Sequence, residues 1–241
     1  MSAPIRAVVF DWGGTLTPFH TVDLLDLWRV AARVLAPDGP DEVVETIATA
    51  LAQAEHHWWT HAVANGSSGT TADVIEAASR ETGLDIDAAL HDAALEAHLD
   101  AWTPHTITDP EAAPLLVALR ERGIRTGLLS NTHWPRTWHE RWLERDGVLE
   151  LIDARVYTSD LHHTKPHPEA FRAVLGQLGV EPAEAVFVGD RPVDDISGAK
   201  ALGMRAVLVP NSDVPGHPVR PDAEIRSLSE LLPIVDSWMA A

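Results

Sequence analysis

Cysteine is absent from this 241-residue chain, which excludes disulfides, thiolate metal sites and cysteine nucleophiles. Lysine is almost absent: Lys165 and Lys200 stand alone, and arginine supplies the other basic residues. Any task that needs a compact amine therefore has few candidates. Long apolar runs are missing too, none approaching the ~18 residues needed to span a bilayer. Positive charge is scarce, with 18 Lys and Arg against 36 Asp and Glu, a net charge of −18. Nucleic-acid phosphates demand clustered cations, so neither a nucleic acid nor a membrane is an expected partner. A small anionic substrate stays open, because a local site can be positive on a negative protein. The opening MSAPIRAVVF has neither the apolar stretch nor the cleavage site of a signal peptide, and the cytoplasm is the expected compartment.

Hydrophobic residues make up 45% and charged residues 22%, the balance of a soluble globular protein. The length suits one large domain, or a core carrying a smaller one. Ile5–Asp11 (IRAVVFD) is a short β-branched run that ends on a carboxylate and exits through Gly13 and Gly14, the pattern of a buried parallel strand. Similar runs recur at Arg125–Leu129, Ala185–Val188 and Arg205–Val209, with a weaker one at Ala154–Thr158. Helical stretches at Pro114–Arg122, Glu169–Gly176 and Asp195–Leu202 lie between them. Alternating strands and helices imply a parallel sheet with right-handed crossovers. One short helix is expected near Ser227–Met239.

The stretch from Thr21 to Trp102 breaks this pattern. It reads as four helices, Val22–Leu35, Asp41–Ala64, Ala72–Thr82 and Asp87–Trp102, separated by LAPDGP and NGSSGTT. So long an all-helical insertion cannot be a simple crossover. The expected organisation is a Rossmann-like α/β core, residues 1–20 and 103–241, with an all-helical cap at 21–102 inserted after the first strand.

Four features fall at the C-terminal ends of the expected strands, where open α/β sheets place their sites. They are Asp11 in FDWGGTLT, Ser130-Asn131 in GLLSNT, Lys165 in HHTKPHPEAF, and Asp190 with Asp194 and Asp195 in VFVGDRPVDDISGAKALG. In this order they resemble the haloacid dehalogenase-like (HAD) superfamily, which contains phosphatases, dehalogenases and phosphonatases. The resemblance covers nearly the whole chain.

It implies a hydrolase in which the Asp11 carboxylate, ionised at neutral pH, attacks phosphorus and forms an aspartyl-phosphate. Thr15 and Ser130 offer hydroxyl donors, and Asn131 and the Gly13–Gly14 backbone join them at the phosphoryl oxygens. Lys165 would pair with both the nucleophile and the transferred group. By resemblance Mg²⁺ would be held by Asp11, the Gly13 carbonyl and Asp190, hard oxygen donors of the kind that ion prefers. Asp194 and Asp195 would hold metal-bound waters or the Lys165 side chain, with an N-cap as the competing role for Asp195. The partner implied is a small phosphorylated metabolite.

One position departs from the family pattern. Its phosphatases carry a second Asp two residues after the nucleophile for acid–base work; here that residue is Gly13. Three readings follow. Another group, or the substrate itself, supplies the proton to a phosphatase. Alternatively the protein expels a leaving group that needs no proton, as dehalogenases expel halide, although the acidic GDRPVDD motif argues against an enzyme that works without metal. Or turnover is lost and a phosphorylated ligand is merely held. Phosphonatases need a cap lysine, and residues 21–102 contain none. His20 and His133 are the candidate substitute acid–base groups.

Overall fold

The computed structural model describes residues 3–18, 21–210 and 218–240. Its centre is a six-stranded parallel sheet of β1 (Ala7–Phe10), β2 (Arg125–Ser130), β3 (Ala154–Tyr157), β4 (Ala185–Gly189), β5 (Arg205–Leu208) and β6 (Ala223–Glu224). The strand order is β3-β2-β1-β4-β5-β6. Chain direction across the sheet reverses between β1 and β4, which makes the crevice beyond their carboxyl ends the topological switch point.

β1 is apolar at every position because both its faces are covered. Val8 and Phe10 pack into one hydrophobic cluster with Leu115, Leu116 and Leu119, whereas Ala7 and Val9 pack into another with Phe171, Val174 and Leu175. The first cluster receives α5 (Ala112–Glu121), α6 (Arg136–Arg145) and α9 (Leu231–Met239); the second receives α7 (Pro168–Leu178) and α8 (Gly198–Ala201). The strand's period of two thus serves two cores at once.

Between β1 and β2 lie α1 (Leu24–Leu35), α2 (Asp41–Asn65), α3 (Thr71–Thr82) and α4 (Ala88–Trp102). They close on a hydrophobic cluster of their own, built on Trp28, Ile47, Leu51, Val74 and Ile75. Their ends obey local rules. Asp23 accepts the Leu25 N–H, Thr70 and Asp73 form a capping box, and Gly66 and Gly83 end α2 and α3 in the left-handed conformation. The α2–α3 loop docks on the core: Ser68 donates its N–H to His162, and Thr164 donates its own to Gly66, both at 3.0 Å. The result is an α/β fold with a Rossmann-like sheet and a helical cap inserted after the first strand. Among the described residues no helix is long and apolar enough to cross a membrane.

Three elements differ from expectation. α6 stands where the sequence reading assigns no element; its sequence RTWHERWLER is rich in Arg and Glu, but His139, Trp142 and Leu143 form a buried stripe. The helix expected to start at Asp195 begins earlier, as a π-helical turn over Pro192–Ser197 that runs into the short α8. Asp195 lies inside this turn rather than at its N-cap, and its carboxylate accepts the Arg191 N–H at 2.9 Å. The two-residue β6 was too short to carry a pattern.

Candidate active site

Asp11 directly follows β1, and its N–H donates to the Val188 carbonyl at 2.8 Å. The parallel register aligns Phe10 with Val188, so the carboxylates that follow β1 and β4 emerge side by side. Asp11, Asp190 and Asp195 are all buried, and their carboxylate oxygens lie within 4.8 Å of one another. Lys165 joins them. Its Nζ donates to Asp11 Oδ1 at 2.6 Å and to Asp195 Oδ1 at 2.7 Å.

Burial opposes a charge on Lys165, but Asp11 and Asp195 outweigh it and hold the ammonium above the ordinary lysine range. Burial also pushes Asp195 up, helped by Asp11 and Asp190 and opposed by Lys165; burial raises Asp194 as well. Asp194 sits in the cavity wall with Arg191 at 3.9 Å. Four carboxylates facing one lysine leave an excess of negative charge in a largely buried place. That donor set, all hard oxygens, fits a small divalent cation such as Mg²⁺. Asp11 and Asp190 would hold it, and Gly13 lines the same cavity.

Two glycines make this closeness possible. A Cβ on Gly14, whose φ is +83°, would stand 2.4 Å from Asp190 Oδ2, and one on Gly189 would stand 2.4 Å from Asp195 Cγ. Gly13 differs: a Cβ there meets nothing within 4 Å. The position that lacks an acid–base side chain has space for one.

The remaining expected residues divide. Ser130 is buried at the end of β2 and lines the cavity. Asn131 lines it as well, but both its amide atoms are spent on the Lys165 backbone. Its Oδ1 accepts the Lys165 N–H at 2.7 Å and its Nδ2 donates to the Lys165 carbonyl at 3.0 Å. Its side chain therefore fixes the lysine. Thr15 is buried beside the cavity, whose lining includes Thr17. His20 lies outside the described residues.

His133 lines the cavity, yet both its ring nitrogens are engaged. Nε2 is 2.9 Å from Glu55 Oε1 and Nδ1 is 2.9 Å from Thr71 Oγ1. Glu55, on α2, was not anticipated, since a lone glutamate in a polar stretch of helix gives no signal. It is buried, it accepts the Trp28 indole N–H at 2.6 Å, and it lines the cavity. Burial works to raise its carboxyl, but the hydrogen bond and charge of His133 prevail and hold it low. The cavity, of about 410 Å³, is walled on the cap side by Trp59, Trp102, Val22 and Leu24, with Trp12 and Trp134 contributed by the core.

The sequence matches the model of the haloacid dehalogenase-like hydrolase family over residues 5–203. It is 29% identical to a glyceraldehyde 3-phosphate phosphatase of Methanopyrus kandleri, over 96% of this chain and 97% of that one. A HAD phosphatase from Thermococcus onnurineus superposes with a TM-score of 0.65 at 28% identity, over 96% and 98% of the two chains. A 2-haloacid dehalogenase from Pseudomonas syringae superposes with a TM-score of 0.68, also at 28% identity, over 97% and 99%. With its motifs gathered at the switch point and most of its length matched, this chain belongs to the haloacid dehalogenase-like hydrolases.

Proposed function

We propose that the protein is a Mg²⁺-dependent phosphatase of a small phosphorylated metabolite, acting in the cytoplasm, with residues 1–20 and 103–241 as the catalytic core and 21–102 as the cap. The observation that carries this reading is the convergence of Asp11, Asp190 and Asp195 within 4.8 Å around a single ammonium. A dehalogenase-type reaction through Asp11 has no use for such a surplus of buried carboxylate. When bound, Mg²⁺ would supply charge neutralisation at the transferred phosphoryl group.

The protein's own groups do the rest. Asp11 attacks phosphorus in line and becomes the aspartyl-phosphate. Lys165, fixed by Asn131 and Asp195, neutralises the nucleophile and the phosphoryl oxygens, and Ser130 donates to those oxygens. Asp194 orders water at the mouth. The named phosphatase activities of the M. kandleri and T. onnurineus relatives support the same reading.

A second reading, hydrolysis of a carbon–halogen bond, is favoured by the absence of an acid at Gly13 and by the likeness to a 2-haloacid dehalogenase. One assay separates the two. Phosphate release from acetyl phosphate with Mg²⁺ is expected, and it should fall by at least about 10²-fold in EDTA or in Asp11→Asn. Chloride release from 2-chloropropionate in EDTA, without phosphatase activity, would reverse the assignment.

A further inference from the structure

On the phosphatase reading, we propose that the substrate is the phosphate ester of an aromatic, phenol-type alcohol without a carboxylate.

The cavity wall supplies the first argument. From the nucleophile's neighbour outward runs a connected set of rings: Trp12 to Trp134 at 5.9 Å, Trp134 to Trp102 at 4.8 Å, Trp134 to His133 at 6.0 Å, and His133 to Trp59 at 5.9 Å. Aromatic walls in edge and tilted arrangements favour a flat ring among them. A volume of about 410 Å³ suits a ring-bearing ligand, whereas a two- or three-carbon acid would leave most of it empty.

Charge supplies the second. Among the described residues, Lys165 and Arg191 are the lysine and arginine that line the cavity. Lys165 is committed to Asp11 and Asp195, and Arg191 is beside Asp194. The cap side carries Glu55 instead, buried and hydrogen-bonded to His133 and Trp28. A substrate carboxylate would face this glutamate, while among the described residues the lysine and arginine of the lining already stand beside Asp11, Asp195 and Asp194, and a buried unpaired charge is costly. A neutral ring meets no such penalty.

Leaving-group chemistry supplies the third, independently of the wall. Asp11 Oδ attacks phosphorus, the P–O bond to the alcohol breaks, and its electron pair leaves on the alcohol oxygen. With glycine at position 13 no side chain there protonates that oxygen. A phenol, with a pKa of roughly 10, departs as the aryl oxide far more easily than an aliphatic alcohol does. Water then adds to phosphorus, the Asp11 carboxylate is released, and dihydrogen phosphate retains both water protons. The absent acid and the aromatic wall select the same substrate class.

The test compares kcat/KM, at saturating Mg²⁺, for phenyl and 1-naphthyl phosphate with that for phosphoglycolate and glyceraldehyde 3-phosphate. Acetyl phosphate, a small substrate with a good leaving group, reports the phosphoryl chemistry alone. Aryl esters should exceed the two small esters by about tenfold or more, and Trp59→Ala should lower the aryl-to-acetyl ratio by about tenfold. Trp59 is half-buried, and the acetyl phosphate rate of the variant reports whether its site is still assembled. Preference for the small esters, or an unchanged ratio in Trp59→Ala, would overturn the substrate class while the phosphatase reading stands. No turnover of any phosphate, acetyl phosphate included, would overturn both.

Discussion

Gly13 is the residue on which the chemistry of this site turns. Its neighbours Gly14 and Gly189 are glycines by necessity, since a Cβ would collide with Asp190 or Asp195; Gly13 is not, because the space beside it is empty. Packing therefore does not demand glycine at position 13, which agrees with the substrate class proposed above. Gly13→Asp should raise kcat for aliphatic phosphate esters, within the range of about 10²–10⁴ associated with general acid–base help. Steady-state rates on glyceraldehyde 3-phosphate would measure it, and an unchanged or lower kcat would mean that another group already fills the role. Asp11, Ser130 and Asp190 could be picked out from the sequence because each follows a strand-like run, and Lys165 because lysine is so scarce in this chain. Asn131's duty could not: its grip on the Lys165 backbone joins residues 34 apart in sequence, which no local pattern announces. Glu55 was hidden for the same reason.

At the scale of elements, apolar runs and caps made β1, β2 and the four cap helices legible to within a few residues. α6 escaped because its burial rests on a narrow stripe of His139, Trp142 and Leu143 beneath a charged exterior. The π-helical turn at Pro192–Ser197 escaped because its shape is set by the demand that Asp195 reach Lys165 and the Arg191 N–H. The cap contains a titrating joint of its own. His98 on α4 stacks on Trp28 of α1 at 3.6 Å and is wholly buried; burial is the main reason its pKa falls to about 4. Above pH ~6.5 both folded and unfolded imidazoles are neutral and stability is indifferent to this group. Between pH ~6.5 and about 4 the unfolded chain alone takes up the proton, so stability falls as the pH is lowered. Urea unfolding across that window should show a slope that His98→Phe reduces by up to about 1.4 kcal/mol per pH unit. Identical slopes in the two proteins would contradict a neutral buried His98.

For the whole molecule, a charge of −18 disfavours nucleic acid but does not prevent a local anion site, because Lys165 and the divalent cation proposed above would act at short range inside a low-dielectric cleft. The sheet order brings Asp11 and Asp190 to adjacent strand ends, and the cap, seated on the Lys165 loop through Ser68 and Thr164, covers the crevice with aromatic surface. The sequence order of strands and the helical insertion made this architecture readable; the chemistry of the cavity wall needed the fold, because Val22, Trp59, Trp102 and Trp134 come from four separate segments. All of it depends on Asp11 acting as the nucleophile. The direct measurement is rapid acid quench of the protein during turnover of acetyl phosphate with Mg²⁺, followed by mass spectrometry of its peptides. The expected result is a phosphate adduct on Asp11 that is absent in Asp11→Asn. Turnover at full rate in Asp11→Asn, or a phosphorylated residue elsewhere, would contradict it.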